Sequence, residues 1–236
     1  KFGDKYYIYY MGNTGDGKVM KGFNFSHRNN QRIGVAVANS PYGPWKRTNT
    51  PLINTSENNN TWDALMVSNP SVLQKADGTF LMVYKAVAKK APLPAGGPVV
   101  HLMATAKSPI GPFTKHVDPV FTKVGEKFPA EDPYIWLQDN QYWAIVKDMK
   151  GAFTDSGKSL ALFNSQNGFD WHKANMPLVS KLEINWQSGK QKVAHLERPQ
   201  IWFKDGKPAI LFCAADETRE HSYNVHIPLI EIEKLK

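Results

Sequence analysis

Three stretches of this chain begin alike. Asn69-Pro70-Ser71-Val72-Leu73, Asp132-Pro133-Tyr134-Ile135-Trp136 and Arg198-Pro199-Gln200-Ile201-Trp202 each open with a residue before proline and run on as an apolar strand pattern. Each reaches a turn (Ala76-Asp77-Gly78, Asp139-Asn140, Asp205-Gly206) and then a second apolar run, at residues 80–84, 142–146 and 208–212. Asp-Gly between two apolar runs is a strong hairpin signal. A further element follows in register at residues 34–45, 101–113 and 160–171: a strand, a tight turn, then an aromatic that opens the next strand. The turn chemistry is Ser-Pro-x-Gly-Pro in two copies and Asn-Gly in the third, but the job is the same.

One repeat therefore holds about four strands, and the prolines recur about every 65 residues, the length and content of a propeller blade. No convincing amphipathic helix is visible, so the expected fold class is all-β. Residues 6–10 match residues 80–84, which places Lys1 inside a blade whose inner strand lies upstream. The expectation is a single β-propeller domain over residues 1–236, incomplete at its N-terminus, with an open edge through which copies could self-associate.

Composition narrows the function classes. A chain of 236 residues has room for one sizeable core or two small ones. Aromatic residues make up 12%, which argues against disorder. No apolar run reaches the length of a transmembrane helix, so no membrane partner is expected. The net charge is +8, but Lys and Arg are scattered and no nucleic-acid-binding pattern appears, so no nucleic acid partner is expected. A soluble basic surface and attraction to an acidic polysaccharide both fit that charge. Cys213 stands alone and cannot form an internal disulfide. No His-x-x-x-His or Cys cluster is present, so neither metal nor cofactor is expected.

Inner strands of a propeller line its axis and converge at one mouth. In register, Asn69, Asp132 and Arg198 precede the prolines, with Ser68, Glu131 and Glu197 one residue earlier. Purely structural residues tend to repeat from blade to blade, whereas a site built around a pseudo-symmetric axis needs them to differ, as these do. Glycosidic hydrolysis needs two carboxyl groups flanking one acetal carbon, and Asp132 and Glu197 come from neighbouring blades. The structural alternative is a Glu197–Arg198 salt bridge with Asp132 capping a turn.

The arrangement resembles the five-bladed β-propeller glycoside hydrolases of the family 43 superfamily. Asp132-Pro133 and Glu197-Arg198-Pro199 match that superfamily's inner-strand signatures, and Ser40–Trp45 and Ser108–Phe113 look like its blade turns. The resemblance implies a secreted or periplasmic bacterial glycosidase acting on a carbohydrate substrate. It also implies that Glu197 is the general acid and Asp132 the group that orients it and tunes its pKa. The family's general base is an Asp on the first blade, which this chain is expected to lack; Asn69 offers no replacement.

Further substrate-binding candidates are Asn69, Glu131, Arg198, and Lys85 and Lys147 at equivalent strand ends. Asp63 is a substrate ligand or spare carboxylate. Arg32 and His27 lie in a polar loop that is either solvated or in contact with sugar. His195 either faces the axial channel or is an ordinary hydrogen-bonded histidine. Trp136 and Trp202 are expected to pack between blades. A non-catalytic carbohydrate-binding propeller and a protein-interaction propeller are the competing functions.

Overall fold

The computed structural model describes residues 1–19, 21–218 and 221–230. It divides into two compact units, Lys1–Phe128 and Pro129–Lys236. Both are built from antiparallel sheets in which each strand pairs with the next along the chain.

In the first unit, β1 (Tyr6–Gly12), β2 (Arg32–Ala38) and β3 (Lys46–Arg47) form one sheet. A second sheet contains β4 (Met66–Gln74), β5 (Phe80–Val87), β6 (Val99–Ala106) and β7 (Thr114–Lys115). A short helix, α1 (Phe25–Asn29), precedes β2, and the Asn24 side chain caps it by accepting the His27 N–H at 3.1 Å. β1 pairs with β2 as β5 pairs with β6, as the match of residues 6–10 to 80–84 predicts. β1 is the edge of its sheet. The Tyr10 ring lies over Gly34, where an added Cβ would come within 2.5 Å of it; glycine leaves the room in which the ring lies across β2.

The second unit has a four-stranded sheet of β8 (Ala130–Gln138), β9 (Gln141–Asp148), β10 (Ser159–Ser165) and β11 (His172–Lys181). A hairpin of β12 (Glu183–Trp186) and β13 (Gly189–Lys192) follows. The last sheet holds β14 (His195–Lys204), β15 (Lys207–Thr218) and β16 (His221–Pro228).

The turns carry the predicted chemistry. Asp139 and Asn140 (φ 51° and 58°) and Asp205 and Gly206 (φ 51° and 74°) all take positive φ, the requirement of a tight hairpin whose twist matches its strands. In both Ser-Pro-x-Gly-Pro copies the glycine N–H returns to the serine carbonyl at 3.0 Å, Gly43 to Ser40 and Gly111 to Ser108. The third copy uses the Asn167 side chain, which accepts the N–H groups of Phe169 (2.8 Å) and Asp170 (2.9 Å).

Hydrophobic burial holds each unit together. In the first, Ile33, Val67, Met82, Tyr84 and Leu102 form one cluster. In the second, the β8 and β14 sheets share a cluster containing Trp136, Leu160, Leu196, Ile201 and Leu211. Fully burying such a side chain contributes about 2 kcal/mol. Trp136 is packed as expected, 6.3 Å from Trp143 and tilted against Phe203. Trp202 is not: it is 44% exposed. The expectation of packing assumed that equivalent positions are equally covered. Alternation in β14 sends Ile201 into the shared cluster and Trp202 to the opposite face, away from it.

The repeat also has an irregularity in common. The ladder breaks between Ser68 and Ser71 in β4, between Glu131 and Tyr134 in β8, and between Glu197 and Gln200 in β14. At each break the residue before proline has positive φ: Asn69 48°, Asp132 49° and Arg198 53°. Proline cannot donate to the ladder, and a bulge at that point re-aims the preceding side chains.

Candidate active site

The bulges put unlike side chains at one structural position. Just before the break, Ser68 pairs with Lys85, Glu131 with Lys147, and Glu197 with Ala214. The Lys85–Lys147 equivalence read from the sequence is thus a register equivalence. Strand alternation then buries Leu196 completely while His195 and Glu197 share the other face of β14,.

In the second unit six predicted residues lie on three strands: Glu131 and Asp132 on β8, Lys147 on β9, and His195, Glu197 and Arg198 on β14. The Lys147 side chain is buried and its ammonium donates to Glu197 Oε1. Glu131 Oε2 lies 3.8 Å from the same nitrogen. One buried cation thus sits between two partly exposed carboxylates from neighbouring sheets. The next residues along the two bulges also meet, with Arg198 Nη1 3.9 Å from the buried Asp132 carboxylate. In place of the Glu197–Arg198 salt bridge of the structural alternative, the two residues make these crossed contacts with Lys147 and Asp132. Tyr134, two residues after Asp132, donates its hydroxyl to the Ile201 carbonyl at 3.3 Å, tying β8 to β14. Burial pushes the Tyr134 phenol up to about 12, so it stays a neutral donor at ordinary pH.

His195 is held rather than open: its Nδ1 lies 2.7 Å from Asp216 Oδ1, the residue opposite it on β15. A carboxylate on one ring nitrogen sets the tautomer and orientation of the other. No sequence pattern singles out Asp216; it becomes visible only once β14 and β15 are aligned. Asp148 is a second residue that the sequence reading misses. It is fully buried, and its Oδ1 accepts the N–H groups of Gly151 and Ala152 at 2.8 Å. Its Oδ2 accepts those of Phe153 at 2.9 Å and Thr154 at 3.0 Å, with the Thr154 hydroxyl at 3.1 Å. This carboxylate folds the loop that leaves β9 directly after Lys147. The available cue is an Asp followed by Gly and Thr at a strand end.

The other predicted residues belong to the first unit. Asn69 and Lys85 hold the register positions of Asp132 and Lys147, and the Lys85 ammonium stands 5.2 Å from the Phe128 ring centre. Asp63 is buried, with Lys115 Nζ at 2.6 Å and the Thr61 hydroxyl at 2.9 Å. It lines a hollow of about 400 Å³ with Trp62, Tyr84 and His116. Burial, reinforced by the Asp63 carboxylate, pushes the Tyr84 phenol far up. Arg32 binds its own surroundings, donating to Asn54 Oδ1 (2.6 Å) and to the carbonyls of Gln31 (2.7 Å) and Asn29 (3.0 Å). His27 Nε2 lies 3.3 Å from Asp16 Oδ1. Among the described residues no three His, Cys, Asp or Glu side chains converge as metal ligands.

Comparison with solved structures places this architecture. A thermostable family-43 glycoside hydrolase superposes with a TM-score of 0.62 at 12% identity, covering 96% of this chain and 67% of that one. The fold is that of the glycoside hydrolase propellers. This propeller also matches an α-L-arabinanase of Cellvibrio cellulosa (TM-score 0.60, 16% identity, 98% of this chain and 72% of that one). A further glycoside hydrolase aligns with a TM-score of 0.70 at 14% identity, over 98% of this chain and 64% of that one. The chain thus spans about two thirds of the length of these propellers. No family model matches it, and no curated protein sequence does.

Proposed function

We propose that this chain forms the carbohydrate-cleaving part of a glycoside hydrolase, with Glu197 as the proton donor. The observation that carries the reading is the pair of carboxylates, Glu131 and Glu197, on one buried ammonium, directly beside the Asp132–Arg198 contact. Paired carboxyl groups from two strands, at positions that differ across the repeat, are what cleavage of an acetal requires. The glycosidase fold of the structural neighbours supports the same chemistry.

In this reading the Glu197 carboxylic acid gives its proton to the glycosidic oxygen as the bond to the anomeric carbon breaks. Water supplies the new hydroxyl at that carbon and gives up its other proton to solvent, from which Glu197 is reprotonated. For Glu197 to carry the proton, its contact with Lys147 has to open, and Glu131 is the carboxylate placed to take the cation over. Asp132, steadied by Arg198, orients the donor. His195, oriented by Asp216 on the same strand face, offers its other ring nitrogen to a sugar hydroxyl.

One observation favours a second reading, in which the site binds sugar without cleaving it: the Glu197 carboxylate is already engaged by a cation. A panel of aryl glycosides, assayed for release of the aryl alcohol beside sugar binding by calorimetry, separates the two. In the whole protein, with its general base present, hydrolysis of at least one member is expected. Binding without any hydrolysis would establish the second reading instead.

A further inference from the structure

The β12–β13 hairpin stands immediately before β14 and is rooted in the core of its unit. Ile184 is buried in the cluster that holds Leu196, and Val193 N–H closes the hairpin base on the Leu182 carbonyl at 3.0 Å. Next, Ala194 N–H donates to the Asp216 carbonyl at 2.8 Å. The hairpin is therefore fastened to the two strands that carry Glu197, His195 and Asp216.

At its tip this hairpin holds a large aromatic in place without burying it. Trp186 is 43% exposed, yet its indole N–H donates to Gln191 Oε1, and the Gln191 amide donates in turn to Glu217 Oε1. The residue directly across the ladder from Trp186 is Gly189. Gly189 has φ 128°, and a Cβ built there would meet nothing within 4 Å. A side chain at that place would be strained, and none covers the ring from across the hairpin. An aromatic oriented through its polar edge, open on its flank and rimmed by the Gln191 amide and the Glu217 carboxylate, suits a carbohydrate ring. The apolar C–H face of a sugar stacks on the indole while its hydroxyls reach the polar rim.

We propose that Trp186, with Gln191 and Glu217, is a sugar-binding platform that holds a neutral residue of an oligosaccharide reaching the Glu197 site. The proposal rests on the glycosidase reading above and names its substrate class: a neutral chain rather than a single sugar. Asp216 and Glu217 are two and three residues along β15 from Ala214, the ladder partner of Glu197. That is about 10 Å at about 3.4 Å per residue, so only a chain bridges platform and site. The Glu217 carboxylate held by Gln191 disfavours uronic or sulfated rings on the platform by like-charge repulsion,.

The test is isothermal titration of the chain with α-1,5-arabinopentaose, β-1,4-xylopentaose, pentagalacturonate, and the monosaccharides arabinose and xylose. At least one neutral pentasaccharide is expected to bind, with its monosaccharide at least 100-fold weaker and pentagalacturonate weaker than either neutral chain. Trp186→Ala should raise the Kd of the bound pentasaccharide 10-fold or more with its melting temperature unchanged, and Trp186→Phe should restore part of the loss. An unchanged Kd in Trp186→Ala would overturn the platform while leaving the glycosidase reading intact. Preferential binding of pentagalacturonate would overturn the neutral-chain assignment. Failure of the unaltered chain to bind any of these sugars would overturn the platform and count against the glycosidase reading as well.

Discussion

Asp132 and Arg198 occupy the same place in consecutive repeats, both in a left-handed backbone conformation before proline, and their side chains approach to 3.9 Å. A strained position repeated at a bulge separates two demands, one on the backbone and one on the side chain. Positive φ costs a non-glycine residue roughly 1 kcal/mol, and Asn is the side chain that tolerates it best after glycine, as Asn69 illustrates. Asp132→Asn is therefore expected to keep the melting temperature within a few degrees while lowering turnover. Arg198→Gly should equal or exceed the stability of Arg198→Ala, although it removes more side chain. Thermal melts of the three variants check both; an Ala variant clearly more stable than the Gly variant would contradict the backbone account.

Lys147 separates Glu131 from Glu197. Removing a buried cation from two carboxylates leaves uncompensated like charges, though both acids are partly exposed and water screens part of the effect. Lys147→Met is expected to cost about 2 kcal/mol in chemical denaturation. The double variant with Glu197→Gln should recover part of that loss, because one of the stranded charges is gone. Strict additivity of the two substitutions would show that the contacts are not energetically coupled.

Asp148 holds the 149–158 loop through backbone N–H groups on both oxygens. Asn in its place keeps the size but turns one acceptor into a donor facing those N–H groups. Leaving buried donors unsatisfied costs about 1–3 kcal/mol. Asp148→Asn should destabilise by about that amount, with faster amide hydrogen exchange at residues 151–154. Unchanged exchange there would mean the loop holds its shape without the carboxylate.

Asp77 gives the fold an acid-sensitive turn. The Thr79 hydroxyl and backbone N–H, followed by the Lys75 ammonium, hold its carboxyl down to about 2, below the unfolded value of about 3.9. A depressed folded pKa stabilises above the unfolded value, and that contribution fades as pH falls from about 4 to about 2. The melting-temperature gap between the unaltered chain and Asp77→Asn should shrink across that window. A constant gap would show that the turn does not sense the charge.

The architecture is legible in the sequence because its signals are local. The recurring strand prolines, Asp-Gly turns and Ser-Pro-x-Gly-Pro turns each act within a few residues. Register alone is enough to pair Lys85 with Lys147 as equivalents and to single out Asp132 and Glu197 as unlike residues on like strands. Contacts between sheets leave no such trace. That Lys147 bridges Glu131 and Glu197 depends on how β9 meets β14, and Lys115 reaches Asp63 from a strand 52 residues later. Asp216 stands opposite His195 through the register of the β14–β15 hairpin, which slips by one residue over Gln200–Trp202 and returns before Glu197. The exposure of Trp202 escapes the sequence for the same reason, since it depends on which face a neighbouring sheet covers.

The most direct measurement is turnover of an unactivated oligosaccharide by Glu197→Gln beside the unaltered protein. Glutamine keeps the shape of the side chain but has no carboxylic proton to give, and general acid catalysis contributes typically 10²–10⁴-fold. The account predicts a fall in kcat of about 10³-fold with folding and sugar binding preserved. Near-normal turnover by Glu197→Gln would contradict the assignment of Glu197 as the proton donor.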